Sequence, residues 1–350
     1  MVFVKVSDVK KISAQILINK GVPEDDAIII ANSIIFAHQR GKGTHGLIRL
    51  AKYLKKIDDR LMSPAPEYKI VKDTPAVCLI DAEHGFGQVA ASKGMMLGIE
   101  KAKKLGISLV GIKDSNNFGT AGFFAEMAVK ENKIGIIMGN SGPAIAPWGG
   151  SKPLLGTNPI GYGLPGGSAG IPIIMDMATS VAARGKIRLA ARNNETIPEG
   201  WALDLNGNPT TDPTAAILGS MIPIGGHKGA GLSLVVDILA GMLTGSAFGG
   251  DVKPLAATDG FSKYGNMIIV INPEFFLTRQ EYTEKIDYLI KNLKECGESV
   301  YLPGEKSYLT AIENTEVFEI RQDLFDEVNG LAESLKINIK LTQKTREDSR

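Results

Sequence analysis

The sequence predicts an α/β fold that begins with a helical region and has no convincing dinucleotide-binding turn of the Rossmann type. Three observations support this prediction. The first 66 residues have the periodicity and the end signals of helices. Strand-like apolar runs and helices then mix without a regular βαβ repeat. The glycine motif at 85–90, which follows a strand-like run, departs from the dinucleotide pattern.

Three helices are predicted in the N-terminal region. The first has Ser7 as a candidate N-cap and ends at Gly21. The second starts at Pro23, with acidic residues in its first turn and basic residues at its end, as the helix dipole favours. The third runs from Leu47 to the proline break that begins at Pro64.

The rest of the chain mixes both kinds of element. Strands are predicted at 76–81, 107–114, 134–139, 170–178 and 266–272, and helices at 88–104, 120–131, 180–193, 230–245, 279–295 and 316–335. The helix at 230–245 is so apolar that we expect it to be buried. The Gly/Pro-rich stretch 140–170 and most of 195–226 are predicted to be loops.

The segment 85–90, GFGQVA, matches a dinucleotide turn only in its glycine spacing. In a Rossmann turn the first glycine follows the strand directly, so that backbone N–H groups meet the pyrophosphate. Here four residues intervene, and two of them, Asp81 and Glu83, would repel a phosphate. The candidate acid for the ribose, Asp114, lies 29 residues after Gly85 instead of about 20. The pattern favours a plain turn into a helix.

Charge and hydropathy argue against two classes of partner. Lys and Arg number 39 against 38 Asp and Glu, so the chain has no electrostatic basis for binding nucleic acid or an anionic membrane surface. The long uncharged stretches 134–151 and 153–175 are interrupted by glycine and proline, so we expect neither to span a membrane.

The two cysteines, Cys78 and Cys296, have no metal-ligand spacing, and no metal site is expected. We expect both thiols to be reduced, as in a cytoplasmic protein. The N-terminal stretch MVFVKVSDVKKISAQ carries charge throughout its apolar residues, which is not the layout of a signal peptide.

Six longer motifs, in one order over most of the chain, give a far more specific signal. They are RGKGTHGLIRL, NNFGTAGFFAEMA, APWGGSKPLLGTNPIGYGLP, MDMATSVAARGKIRLAARN, IPEGWALDLNGNPTTDP and GGHKGAGLSLVVDILAGMLTG. Together they resemble the malate/L-lactate dehydrogenase family of the second type, over roughly residues 5–330. Members of that family include malate, sulfolactate and ureidoglycolate dehydrogenases.

The resemblance implies a non-Rossmann α/β fold around a largely antiparallel mixed sheet flanked by helices, a homodimer, and NAD or NADP as cofactor. We divide the chain accordingly into an N-terminal helical region at 1–66 and a cofactor- and substrate-binding core at 67–310. Residues 311–350 are expected to form a helix that packs back on the helical region, followed by a polar tail. The implied reaction is hydride transfer between nicotinamide and C2 of a small 2-hydroxy or 2-oxo acid. The pair malate/oxaloacetate is favoured, and lactate or sulfolactate is also compatible.

Reduction of a 2-oxo acid needs a proton donor for the forming alkoxide and a cation for the carboxylate. His45 and Arg49 are four residues apart and would share one face of a helix. An imidazole titrates near neutral pH, and a guanidinium can grip a carboxylate through two hydrogen bonds. Local sequence alone favours a capping histidine and a surface arginine. The resemblance instead implies a catalytic pair, with Thr44 and Tyr53 as substrate contacts.

The loop after the strand at 107–114 departs from the family pattern. Members commonly have Asn-His-Phe-Gly here, with the histidine as proton acceptor, whereas this chain has Asn117 at that position. An amide can hydrogen-bond a substrate oxygen but cannot exchange a proton near pH 7. Two alternatives follow. Either His45 alone is the acid/base and Asn117 orients the substrate, or the protein binds nicotinamide with weak or altered catalysis.

The resemblance also assigns cofactor contacts to four short segments. They are Ser141; Asp176, Met177 and Ala178; His227 and Lys228; and Pro303, Gly304 and Glu305. Unpaired N–H groups at the helix start after Ala178 could accept a phosphate. Lys228 read alone is a solvated loop lysine, but the glycines around it allow a ligand to approach the backbone.

The sequence leaves the substrate and the choice between NAD and NADP open. The family's second substrate arginine, expected around 250–265, has no clear counterpart, because that region offers only Lys253 and Lys263. The group that meets the distal end of the substrate is therefore not predicted.

Overall fold

The computed structural model describes residues 1–344. Its strands, in chain order, are β1 (Val2–Lys5), β2 (Lys69–Asp73), β3 (Val77–Asp81), β4 (Ile107–Ser115), β5 (Ile134–Gly139), β6 (Ile160–Leu164), β7 (Ile173–Met177), β8 (Ala202–Leu203), β9 (Pro209–Thr210), β10 (Ser220–Met221), β11 (Tyr264–Ile271) and β12 (Val317–Ile320). Its α-helices are α1 (Val6–Asn19), α2 (Glu24–Gln39), α3 (Leu50–Asp58), α4 (Gly87–Leu105), α5 (Ala121–Lys130), α6 (Arg184–Asn193), α7 (Pro213–Leu218), α8 (His227–Val236), α9 (Arg279–Glu295), α10 (Glu305–Glu313) and α11 (Gln322–Ser334).

A mixed seven-stranded sheet in the order β2-β3-β4-β11-β5-β6-β7 forms the centre of the molecule. The pair β3–β4 is parallel, and the other five neighbouring pairs in the sheet are antiparallel. Strand β11 lies in the middle, where Ile268 pairs with Val110 on one side and Ile137 on the other. The expected α/β fold with a mixed sheet flanked by helices is confirmed.

Helices α4 and α5 cover one face of this sheet. Gly94 of α4 brings the helix so close that an added Cβ would lie 3.1 Å from Ile112 and from Ile268. Met95 of α4 and Phe124 of α5 are fully buried in the same core. On the other face, Val236 and Ala240 pack against Met267. Val236 belongs to α8, and Ala240 belongs to the π-helical turn that continues it.

The strand, turn and helix predicted around 85–90 are confirmed, and with β4 they form one parallel βαβ unit that was not predicted. The glycines of this turn lie in close contact with other parts of the same chain. A Cβ on Gly87 would lie 2.2 Å from the carbonyl oxygen of Asn116, and one on Gly85 would lie 2.3 Å from the Pro66 ring. The start of α4 is thus covered by the chain itself.

The N-terminal region and the C-terminal helix share a second core. Ile12 and Ile16 of α1 pack in one cluster with Leu324 and Val328 of α11. The region expected to be helical begins with a strand instead, because β1 pairs antiparallel with β12, and the N-cap of α1 is Lys5 rather than the predicted Ser7. The predicted helix at 316–335 is for the same reason a strand followed by α11. The predicted polar tail lies mostly at 345–350, outside the described residues.

Two segments that were predicted to be loops contain regular secondary structure. The stretch 140–170, expected to be a loop, contains β6, whose glycines admit α5: a Cβ on Gly163 would lie 2.4 Å from the carbonyl oxygen of Ala125. Residues 195–226 contain a small sheet in the order β10-β8-β9 and the short helix α7.

The helix predicted at 230–245 begins at His227 and turns π-helical over Asp237–Met242. Only one of its faces meets the sheet, and Val235 and Leu243 on the outside are 50% and 59% exposed. The expectation that it is buried was therefore wrong for half of its surface. Within residues 1–344, no helix is both long enough and apolar enough to cross a membrane.

Candidate active site

The turn that carries His45 and Arg49 is not an α-helix. Two 3₁₀ turns, Gly43–His45 and Leu47–Arg49, are separated at Gly46, where the backbone takes φ −95° and ψ −136°. The ring of His38 fills the space beside Gly46, since a Cβ there would lie 2.2 Å from its Cδ2. The prediction that His45 and Arg49 share one face of a helix is thus wrong in its geometry.

The two side chains are nevertheless brought together, through Thr44. The Nδ1 of His45 lies 3.2 Å from the Thr44 hydroxyl. The Nε of Arg49 donates to the Thr44 carbonyl oxygen at 2.8 Å. The segment therefore holds its imidazole and its guanidinium on neighbouring positions of one short, tightly packed turn.

The surroundings of His45 favour the neutral form of its imidazole. Burial lowers its pKa from 6.5 to about 4, and the charges of Arg49 and Lys42 act in the same direction, while Asp176 opposes them. The sequence prediction of titration near neutral pH does not hold for the protein alone. A neutral imidazole is a proton acceptor, and its affinity for a proton rises when an anion binds nearby.

Asp176 brings the edge strand β7 to this turn. Its Oδ2 accepts a hydrogen bond from the Nζ of Lys42 at 2.7 Å. The start of α5 lies on its other side, because a Cβ on Gly122 would be 3.2 Å from the same oxygen. Met177 ends β7 and Ala178 follows it directly. Lys42 was not predicted as a functional residue, although it stands inside the first of the six motifs.

Asn117 and Tyr53 belong to one buried network. The amide oxygen of Asn117 accepts from the backbone N–H of Gly119 at 3.2 Å and from the Tyr53 hydroxyl at 3.5 Å. The Tyr53 hydroxyl in turn accepts from Gln88 at 2.6 Å. Tyr53 is completely buried, so it supports Asn117 from behind. Gln88 was not singled out by sequence reasoning, since it lies in the rejected glycine motif.

Arg49 also lies near two tyrosines, Tyr264 and Tyr53. Burial raises the pKa of Tyr264 to about 12, and the charge of Arg49 opposes that rise. Burial likewise raises the pKa of Tyr53, and the charge of Arg49 again opposes that rise. Tyr264, at the start of β11, was missed because the sequence gives it no motif of its own.

The turn of Pro303, Gly304 and Glu305 packs on the same edge strand. The Pro303 carbonyl accepts from the backbone N–H of Ile174 at 3.0 Å. Gly304 has φ +80°, and a Cβ there would lie 2.3 Å from the Ile174 carbonyl, so only glycine fits. Glu305 accepts from Lys294 at 2.7 Å with both carboxylate oxygens, which fixes the turn.

A small cavity of about 20 Å³ lies between this turn, β7 and α2. Its walls are formed by Phe36, Arg40, Lys42, Gly122, Pro172, Ile174, Gly304, Ser307 and Tyr308. It therefore joins three segments that the sequence marked as functional: the first motif, strand β7, which carries Asp176, and the turn at 303–305.

The remaining predicted residues are Ser141, His227 and Lys228. The backbone N–H of Ser141 donates to the buried amide oxygen of Asn158, which ties the end of β5 to the chain before β6. His227 is exposed and packs edge-on against Trp148, with ring centroids 5.8 Å apart. Lys228 is exposed in the first turn of α8, and no described contact joins it or His227 to His45.

Comparison with known proteins gives this arrangement a family context. The family model described as malate/L-lactate dehydrogenase matches residues 4–329. A malate/(S)-sulfolactate dehydrogenase of Methanothermus fervidus is 41% identical over 320 residues, which cover 91% of this chain and 94% of the relative.

A (2R)-3-sulfolactate dehydrogenase (NADP(+)) of Chromohalobacter salexigens is 38% identical over 322 residues, covering 90% and 93% of the two chains. Among solved structures, the sulfolactate dehydrogenase of Methanocaldococcus jannaschii superposes with a TM-score of 0.90 at 37% identity. That match covers 96% of this chain and 98% of the other.

Proposed function

The chain belongs to the malate/L-lactate dehydrogenase family, and we propose that it is an NAD(P)-dependent dehydrogenase of small 2-hydroxy acids. Its favoured substrate pair is malate and oxaloacetate or a sulfonated counterpart, and lactate is a weaker candidate. The observation that carries the proposal is His45, a half-buried imidazole held beside Arg49 through Thr44, with its pKa lowered by its surroundings.

The proposed chemistry follows from the atoms that remain free. Thr44 engages the Nδ1 of His45, which leaves Nε2 to take the hydroxyl proton of a bound 2-hydroxy acid. Arg49 holds the substrate carboxylate through its terminal nitrogens while its Nε stays on Thr44. In the reverse direction the protonated imidazole returns this proton to the alkoxide at C2. The nicotinamide supplies and accepts the hydride when it is bound.

We propose that the dinucleotide lies along the segments that the family resemblance marked for the cofactor. The Oγ1 of Thr179, just after Ala178, is buried without a hydrogen-bond partner in the described part of the chain. We propose that Asp176, Met177 and Ala178 line one side of the cofactor, the turn at 303–305 another, and Ser141, His227 and Lys228 its distal part. This path does not use the glycine turn at 85–90, consistent with a non-Rossmann mode of binding.

We propose that Asn117 orients the substrate and does not exchange protons. Its Oδ1 is occupied by Gly119 and Tyr53, so its Nδ2 is the group left to donate to a substrate oxygen. The alternative, a nicotinamide-binding protein with weak catalysis, rests on the same substitution. The variant Asn117→His separates the two, because a large gain in turnover at unchanged cofactor affinity would favour the alternative.

We propose a cytoplasmic homodimer in which α8 and its π-helical extension form the contact. Val235 and Leu243 project from the outer face, while Val236 and Ala240 of the same helix face the sheet. A second copy would cover this apolar face. Light scattering coupled to size exclusion should give a molar mass twice that of one chain. The Val235→Glu variant should give a molar mass closer to that of one chain. A monomeric unmodified protein would contradict this.

The test of the activity is a substrate panel. Purified protein is mixed with oxaloacetate, pyruvate or sulfopyruvate and with either NADH or NADPH, and loss of the reduced-nicotinamide absorbance is followed. We expect turnover, and we expect His45→Ala to reduce kcat by at least about 100-fold, the range of acid–base contributions. Absence of turnover with every pair, or an active His45→Ala variant, would refute the proposal.

A further inference from the structure

Four cations, Arg49, Lys52, Arg188 and Arg192, lie near one another beside the proposed active site. Arg49 and Lys52 are one turn apart where the 3₁₀ segment runs into α3, and Arg188 and Arg192 are one turn apart on α6. Among residues 1–344 none of the four forms an ion pair. We name this group the cation cluster.

The packing of α6 turns its cations toward the active-site turn. A Cβ on Gly185 would lie 3.3 Å from the side chain of Thr44, so this face of α6 rests on the residue that holds His45 and Arg49. Arg188 and Arg192 follow Gly185 at spacings of three and seven, so they project from the same face.

The charges in the cluster act on one another. Burial, and after it the charge of Arg49, lowers the pKa of Lys52 and also that of Arg188. Arg192 lowers both in the same sense, and Glu327 alone opposes this at Lys52. Like charges held together without partners are unfavourable until an anion joins them.

The neighbouring arginine of α6 behaves differently. Arg184 donates to the carbonyl oxygens of Pro143 at 2.9 Å and Ile217 at 3.3 Å. Its guanidinium is thus used in holding the fold together. Arg188, one turn later, has no such partner in the described residues and remains available to a ligand.

We propose that Arg188, supported by Arg192 and Lys52, binds the second acid group of a dianionic substrate whose first carboxylate is bound by Arg49. This inference rests on the proposed function and names its substrate class: a 2-oxo acid with a carboxylate or sulfonate at the other end, not a monoacid such as pyruvate. Because Arg49 belongs both to the cluster and to the turn of His45, the cluster borders the substrate rather than the cavity at Gly304.

The test compares Arg188→Gln with the unmodified protein on oxaloacetate, sulfopyruvate and pyruvate. We expect kcat/KM to fall about 10- to 100-fold for the two dianions, the usual effect of losing a charged hydrogen bond, and less than about 3-fold for pyruvate. Arg188→Lys should keep part of the dianion activity. The matched control Arg279→Gln, at an exposed arginine of α9, should change neither.

Equal losses for monoacid and dianions, or none, would overturn the inference. A raised KM for NADH or NADPH with unchanged dianion selectivity would assign the cluster to a cofactor phosphate and overturn it as well. A second measurement does not depend on turnover. Malate or sulfolactate should raise the melting temperature of the unmodified protein and of Arg279→Gln, but not that of Arg188→Gln. If this shift occurs in a protein that turns over no acid, the proposed function fails while the anion site stands; without the shift, the site fails too.

Discussion

We expect two half-buried imidazoles, those of His38 and His45, to make the stability of this fold sensitive to acid. Burial lowers the pKa of His38 to about 4, and burial aided by Arg49 and Lys42 lowers that of His45 to about 4 as well. In the unfolded chain both titrate near 6.5. The unfolded state therefore binds protons first as the pH falls. The stabilisation is fully present above pH 6.5 and is lost progressively toward pH 4.

The size of the effect follows from these values. At pH 5 an unfolded histidine is almost entirely protonated, whereas the folded one carries a proton in about one molecule in ten. Each imidazole then destabilises the fold by about 2 kcal/mol between pH 7 and pH 5. The two together cost about 4 kcal/mol, which is a large part of the stability of an ordinary domain.

His38 allows the effect to be isolated without touching the reacting groups. It stacks on Phe318 with ring centroids 5.1 Å apart, and its Nε2 is buried without a described partner. His38→Phe keeps an aromatic ring in this place and removes the proton-binding site. We expect the loss of unfolding free energy from pH 7 to pH 5 to be smaller by about 2 kcal/mol than in the unmodified protein.

Urea unfolding followed by circular dichroism at the two pH values gives this difference. Any packing cost of the larger ring is common to both pH values and cancels, and the carboxylates titrate alike in both proteins. The reasoning is refuted if the unmodified protein and His38→Phe lose the same unfolding free energy between pH 7 and pH 5.

Three other substitutions test particular contacts. Gly46→Ala places a methyl group on the His38 ring, so we expect a loss of about 1–3 kcal/mol in urea unfolding together with loss of dehydrogenase activity; normal activity would contradict the role given to this turn. Gly163→Ala should cost a similar amount, because its Cβ would meet the Ala125 carbonyl, whereas Gly330→Ala in the open part of α11 should stabilise by about 0.5–1 kcal/mol; equal effects at the two glycines would refute the packing argument. Tyr53→Phe leaves the Gln88 amide without its acceptor and should cost about 1–3 kcal/mol while lowering kcat more than it raises the KM for the oxo acid, and a variant with unchanged kinetics would show that Asn117 needs no such support.

Local patterns predicted the interior of the sheet well. Strands β3, β4, β5 and β11 lie where apolar runs bounded by turns predicted them, because each contains a run of mainly apolar residues with a buried centre. Strand β6 was hidden because Gly161 and Gly163 look like chain breakers, although their missing side chains are what admits α5. Strand β1 was hidden because its partner lies more than 300 residues away along the chain.

The residues of the candidate active site were likewise only partly predicted from local sequence. His45 and Arg49 were found from their motif, but the helical spacing that suggested their contact is absent. Thr44 brings them together instead, its hydroxyl contacting His45 and its carbonyl oxygen accepting from Arg49. Lys42 and Arg188 were not predicted, because each matters through a neighbour that is distant in the sequence. Lys42 contacts Asp176, and Arg188 lies near Arg49. Nothing local in the sequence carries that information.

The pairing of β1 with β12 also bears on how the molecule is made on the ribosome. The core beneath the turn of His45 includes Leu47, Leu50 and Tyr53 from the start of the chain and Phe318, Leu324 and Val328 from near its end. Contacts so distant in sequence form slowly and only after the intervening chain exists. The turn of His45 and Arg49 is therefore translated early, but the apolar surface beneath it stays partly uncovered until β12 and α11 have emerged.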